Sequence, residues 1–240
     1  MSMENIDYEG LKKRGFLKQR QDGFVILRTR TISGVYAKEH LEKLAKIAEK
    51  YGRGFIHSTV RQGLEIPFIK VEDVPAAEDE LKAAGIAMGT SGARLRAVTS
   101  CPGNNWCRFG LINTFSLIER LEKELGIRSG LDLPHKFKIA ISGCPNTCTR
   151  PQGSDIGIFG FMDTASVEKR AGHIVYIGGN GGRNPKDGIK LDKVFTEDGV
   201  LILVDKIIKF YKNNAKPKQR FSLLIEEVGK DRFLKEVVIQ

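Results

Sequence analysis

No stretch of this 240-residue chain stays apolar for long. The most apolar run, Val200-Leu-Ile-Leu-Val204, meets Asp205 well short of the ~18–20 residues that a membrane-spanning helix needs, so no membrane partner is expected. The N-terminus, Met1 to Gly10, has no apolar core followed by a small-residue cleavage site; it is acidic and polar, and the expected location is cytoplasmic. Cysteine is scarce, four residues in all, and a reducing compartment would keep structural disulfides rare. Acidic residues are the minority charge: 39 Lys and Arg against 29 Asp and Glu leave a net charge of +10. The basic residues are spread out rather than gathered on one helix or tail with interleaved aromatics, so nucleic acid is not the expected partner. Lys216-Pro-Lys-Gln-Arg220, the one small cluster, reads as a solvated loop. Anionic small molecules remain as the reason for the basic balance.

What is present is ordinary globular material, 41% hydrophobic and 28% charged, enough for one or two domains. Residues 23–32 are β-branched and apolar and predict a strand, broken by Ser33-Gly34. Tyr36 to Tyr51 carries a helical stripe through Leu41, Leu44, Ile47 and Ala48. Two extended pieces follow, 55–60 and 64–69, then a helix over 73–84 with Pro75 in its first turn. Strand, helix, two strands, helix and a short apolar end is the order of a ferredoxin-like α/β sandwich, placed over residues 1–90. The second half, 91–240, reads as a mixed α/β domain, which makes the whole chain α+β. Strands are expected at 94–98, 137–141, 156–162 and 173–177. Helices are expected over 111–125, 191–211 and 223–237, the last interrupted at Gly229.

The four cysteines fall in two tight pairs, Cys101-Pro-Gly-Asn-Asn-Trp-Cys107 and Cys144-Pro-Asn-Thr-Cys148, each just past a strand-like segment. Four thiolates suit a 4Fe-4S cluster. They also suit structural zinc, although zinc knuckles usually run Cys-x2–4-Cys and the gap between Cys101 and Cys107 is longer. On spacing alone both readings stand, with paired or inert cysteines behind them.

Cations sit where a strand would not ordinarily put them: Arg28 and Arg30, Arg61, Arg94 and Arg96, Lys136 and Lys138. Residues two apart on a strand share a face. Each pair therefore either faces water or converges on a strongly anionic ligand. His57 and His135, near these segments, read equally as structural residues or proton donors. Trp106 reads as a shield over the first cysteine loop, and Gly178 to Gly182 as a tight turn or a close approach to a ligand.

The stretch from Leu133-Pro-His-Lys-Phe-Lys-Ile-Ala-Ile-Ser-Gly to Cys144-Pro-Asn-Thr-Cys148, preceded by Cys101-x5-Cys107, resembles the sirohaem-dependent sulfite and nitrite reductases. The likeness runs from Leu27-Arg28 through the second cysteine pair and fades after about Gly182. With a motif this long, the zinc reading gives way. The resemblance implies a ferredoxin-like half before a sirohaem and iron–sulfur domain. Cys101, Cys107, Cys144 and Cys148 would ligate a 4Fe-4S cluster, and Cys148 would also bridge to the sirohaem iron. It implies that Arg28, Arg96, Lys136 and Lys138 bind the substrate anion and sirohaem carboxylates, with Arg94 competing for the place of Arg96. Arg61 would meet sirohaem carboxylates, and Asn146 in the second cysteine loop is a further cofactor contact. The implied reaction is six-electron reduction of sulfite to sulfide, with nitrite as the alternative substrate. A non-catalytic sirohaem carrier or sensor would need fewer distal cations. Larger members hold two such halves, whereas this chain is one, so a homodimeric twin is a possible partner. There is no further cysteine set and no Gly-x-Gly-x-x-Gly loop, so electrons are expected from an external, ferredoxin-like donor.

Overall fold

The computed structural model describes residues 6–164 and 170–238. Residues 1–5, part of the stretch read for a leader, lie outside it. The chain forms two compact units, 1–92 and 93–240.

The first unit carries a four-stranded antiparallel sheet in the order β1-β2-β4-β3. Its strands are β1 (Phe16–Lys18), β2 (Phe24–Arg28), β3 (His57–Ser58) and β4 (Leu64–Lys70). Helix α2 (Lys38–Tyr51) crosses from β2 to β3, leaving a gap that β4 fills, and α3 (Val74–Ala83) follows β4. This is the split βαβ arrangement expected of a ferredoxin-like half. Two edges depart from the expected order. A short helix α1 (Tyr8–Lys13) and β1 precede the first expected strand. The apolar segment after α3 is no strand; it makes one bridge, Thr29 to Met88, in line with β1 along the same side of β2. Val25, Leu27, Leu44, Ile47, Ile66 and Ile69 are fully buried between sheet and helices, as the alternation on the strands and the stripe on α2 require.

The second unit is built on a five-stranded mixed sheet, β5-β6-β7-β8-β9. Strands β5 (Thr99–Ser100), β6 (Ile139–Ser142) and β7 (Ile156–Met162) are parallel. Strands β8 (Ala171–Ile177) and β9 (Ile189–Lys190) return antiparallel. Helix α4 (Thr114–Leu125) makes the crossover between β5 and β6. Asn113 caps its first turn, its side chain accepting the Phe115 and Ser116 N–H groups, and Gly126 ends it at φ +63°. Helices α5 (Glu197–Asn214), α6 (Phe221–Val228) and α7 (Lys230–Val237) complete the unit. Several boundaries move. Residues 94–98 form isolated bridges rather than a strand, Arg94 to Asp132 and Leu95 to Phe137. Helix α4 begins at Thr114 rather than Leu111 because Asn113 supplies the cap, and α5 begins at Glu197 behind the Thr196 cap rather than at Leu191. No described helix is long and apolar enough to cross a membrane.

Candidate functional site

Because β5 and β6 are parallel neighbours, their C-terminal ends lie at one edge of the sheet, and each delivers a cysteine pair there. The Cys101 N–H donates to the Ile141 carbonyl at 3.2 Å. The Gly143 N–H, one residue before Cys144, donates to Cys101 Sγ at 3.0 Å. The two loops lie backbone on backbone. A Cβ on Gly143 would sit 2.5 Å from the Gly103 Cα, and one on Gly110 would sit 2.3 Å from the Gly103 carbonyl carbon. No side chain fits either gap, so glycine is obligatory at both. Gly103 itself has φ +56°, and a 3-10 turn from Gly103 to Asn105 brings Cys107 round, its N–H donating to the Gly103 carbonyl at 3.1 Å. The Thr114 hydroxyl donates to the Cys101 carbonyl at 2.6 Å. Across the base of the second loop, the Ser142 and Thr149 hydroxyls meet at 2.8 Å.

All four thiols are free; Cys144 is buried, Cys101 and Cys107 are half-buried, and Cys148 is exposed with Asn146 beside it. Four free thiols on these two loops match in number the donors that a 4Fe-4S cluster takes. Trp106 is 68% exposed, and its ring packs edge-on against Phe115.

In the same unit the expected cations are carried on one frame. Phe137 is fully buried, with ring centroids 5.4 Å from Tyr211 and 5.2 Å from Phe221. Lys136 and Lys138 flank it, both half-buried. The Arg96 N–H donates to the Phe137 carbonyl at 2.9 Å, which ties Arg96 to the lysine segment. Arg96 is itself buried, while Arg94 pairs with Asp132 at 2.9 Å. His135 has its pKa lowered, first by burial and then by Arg220, Lys136 and Arg96, so these three cations lie within electrostatic reach of one imidazole.

Arg220 was missed by sequence reading, since it closes the cluster taken for a solvated loop. Lys216 and Lys218 are exposed as expected, but the Arg220 guanidinium turns inward to Asp155, with Nη2 donating to Oδ1 at 3.0 Å. Asp155 was missed too. Its carboxyl is completely buried, and burial pushes its pKa up to about 6 although Arg220 and the Lys138 N–H oppose the rise.

The first unit presents its cations around an acid. In the sheet register Arg28 on β2 and His57 on β3 both stand opposite Glu65 on β4. The Arg28 Nε donates to Glu65 Oε1 at 2.6 Å, and His57 Nδ1 lies 3.2 Å from Oε2. Burial first, and then the Arg28 charge, lowers the pKa of Arg61, so the two guanidiniums are electrostatic neighbours. A cavity of about 460 Å³ in this unit is lined by Ser33, Tyr36, Leu41, Ser58, Thr59 and Leu64 among others. Glu65 could have been suspected only by pairing strands: an acid opposite Arg28 is a cross-strand partner.

Comparison with known proteins covers nearly the whole chain. Residues 91–240 match the nitrite and sulphite reductase 4Fe-4S domain, and residues 17–84 match the nitrite/sulfite reductase ferredoxin-like half domain. The likeness therefore does not fade after Gly182; the C-terminal helices belong to the matched domain. The chain is 31% identical to the coenzyme F420-dependent sulfite reductase of Methanocaldococcus jannaschii over 96% of its own length, and spans 44% of that protein. It is 29% identical to the assimilatory-type sulfite reductase of Nitratidesulfovibrio vulgaris, with 90% of this chain and 93% of that one covered. Among solved structures, dissimilatory sulfite reductase I superposes with a TM-score of 0.80 at 16% identity over 90% of this chain and 69% of that one, a likeness of fold. With both units matched in order and four free cysteines inside the residues matched to the 4Fe-4S domain, the chain belongs to the nitrite and sulphite reductase family.

Proposed function

We propose that this chain reduces sulfite to sulfide in six one-electron steps, at a sirohaem joined to a 4Fe-4S cluster. The observation that carries the reading is the pairing, within one unit, of four free thiols at the β5 and β6 ends with a buried-frame cation set, Arg96, Lys136 and Lys138. A carrier has no use for the second half of that pairing.

When bound, the cluster and sirohaem would supply the redox chemistry, relaying electrons to the anion. Cys101, Cys107, Cys144 and Cys148 would hold the cluster, and Cys148, the exposed thiol, would also serve the sirohaem. Arg61, Arg94, Arg28 and Asn146 would meet the cofactor. In the second unit Arg96, Lys136 and Lys138 would draw in the anion and offset its charge, and Arg28 is the residue of the first unit proposed for the same role. Lysine, unlike arginine, gives up a proton readily when cations crowd it, so Lys136 and Lys138 are the proton relays. Electrons come from an external donor.

The test is an anaerobic absorption spectrum with pigment extraction, followed by viologen-driven turnover. Sirohaem bands, about four irons beyond the haem iron, and turnover of sulfite in preference to nitrite are the expected outcome. Colourless protein holding zinc sinks the reading, and faster turnover of nitrite exchanges the substrate. Lys138→Ala keeps its cofactors and loses turnover; full activity removes that residue from the site.

A further inference from the structure

Lys138 is held by more than its own strand. Its carbonyl accepts the Ile156 N–H at 3.1 Å, and its N–H donates to Asp155 Oδ2 at 2.9 Å. Asp155 is therefore shared: one carboxylate oxygen holds the Lys138 peptide and the other holds Arg220. Its backbone carbonyl accepts the Gly178 N–H at 2.8 Å, which ties the residue to the end of β8 as well. Arg220 stands at the start of α6, and the chain around it grips the lysine segment at further points. The Lys218 N–H donates to the Pro134 carbonyl at 2.9 Å, Tyr211 meets the His135 backbone, and Phe221 packs on Phe137.

A buried carboxylate and guanidinium are an expensive way to gain stability, because desolvation cancels most of their attraction. The raised pKa of Asp155 shows that cost. An apolar pair of similar volume would hold α6 to β7 as well. It would not accept the Lys138 N–H.

We propose that Asp155 and Arg220 are positioning residues, a buried ion pair that clamps the peptide of Lys138 and so sets Lys136 and Lys138 for the anion. The inference rests on the sulfite-reducing role argued above. It adds the C-terminal helices to the anion site, although they carry none of its expected ligands. Asp155 needs charge to serve two donors at once; Arg220 keeps that charge in place and fastens it to α6.

The experiment uses holoprotein bearing Asp155→Asn, Arg220→Gln or Arg220→Lys. Three quantities are read: cofactor content, sulfite affinity by optical titration of the pigment, and hydrogen exchange of the Lys138 amide. Asp155→Asn and Arg220→Gln are expected to keep their cofactors, weaken sulfite about tenfold, as losing an outer partner of a liganding group does, and speed Lys138 exchange. Arg220→Lys, which keeps the charge, is expected to recover part of both. Should Asp155→Asn fail to fold, Arg220→Gln carries the test, since it leaves the carboxylate in place. Sulfite affinity unchanged in variants that retain their cofactors overturns the clamp, as does equal weakening by Arg220→Lys and Arg220→Gln. Wild-type protein whose pigment does not respond to sulfite overturns the functional reading instead.

Discussion

Asp155 ties its own ionisation to the stability of the second unit. Its pKa in the folded chain is pushed up to about 6, while an unfolded aspartate ionises near ~4. Between those values the folded state keeps a proton that the unfolded state has lost, so stability falls as pH rises through that window and levels off above it. The loss is on the order of 3 kcal/mol from one residue. Asp155→Asn, which does not titrate, lacks this slope. Urea unfolding of both proteins at pH 4.5 and pH 7 measures the difference, and parallel behaviour refutes it. Above the window the carboxylate is charged, the state in which it serves both donors. The same residue shows where sequence reading stops. Lys136 and Lys138 declared themselves by alternating around Phe137, a local pattern. Asp155 and Arg220 are 65 positions apart, and only the fold brings them together. Glu65 stayed hidden for the same reason, since its partners Arg28 and His57 lie on other strands.

Among the elements, the paired cysteine loops depend on glycine in two different ways. Gly143 and Gly110 are needed for contact: a Cβ there meets backbone at 2.5 Å and 2.3 Å, and backbone cannot step aside. Gly126 is needed only for its conformation, φ +63° at the end of α4, with open space around it. Gly143→Ala should therefore cost ~2–4 kcal/mol and lower the iron bound per chain, as overpacking next to a ligand does. Gly126→Ala should cost only about 1 kcal/mol and leave iron content unchanged. Chemical denaturation with iron analysis checks both; equal iron loss would show that the loops are not held by backbone packing. The helices and long strands were legible because their periodicity extends over several turns or pairs. The segment 94–98 misled because it has the composition of a strand but finds only isolated bridges, to Asp132 and Phe137. Helix α1 and strand β1 were overlooked because six and three residues carry too little pattern to read.

For the whole molecule the leading quantity is a net charge of +10, with 39 basic residues against 29 acidic. Individual basic residues are paired locally: Arg120, for one, contacts Glu124, Glu197 and Asp198. The surplus remains, and a basic surface draws small anions inward at a rate that salt suppresses. On the proposed activity, kcat/KM for sulfite should fall several-fold between low ionic strength and about 0.5 M salt, as screening shortens the Debye length, while kcat changes little. Steady-state kinetics in a non-binding salt would show it, and a flat profile would remove long-range attraction from the account. The pairing of β5 with β6 has a consequence for how the molecule is made. The two cysteine pairs are separated by a helix, and only the finished parallel pairing brings Gly143 against Cys101. No local segment can gather the four thiols. On the proposed reading the β5–β6 pairing would form before the cluster is delivered, and Cys148, the exposed thiol, would be open to oxidants in that interval.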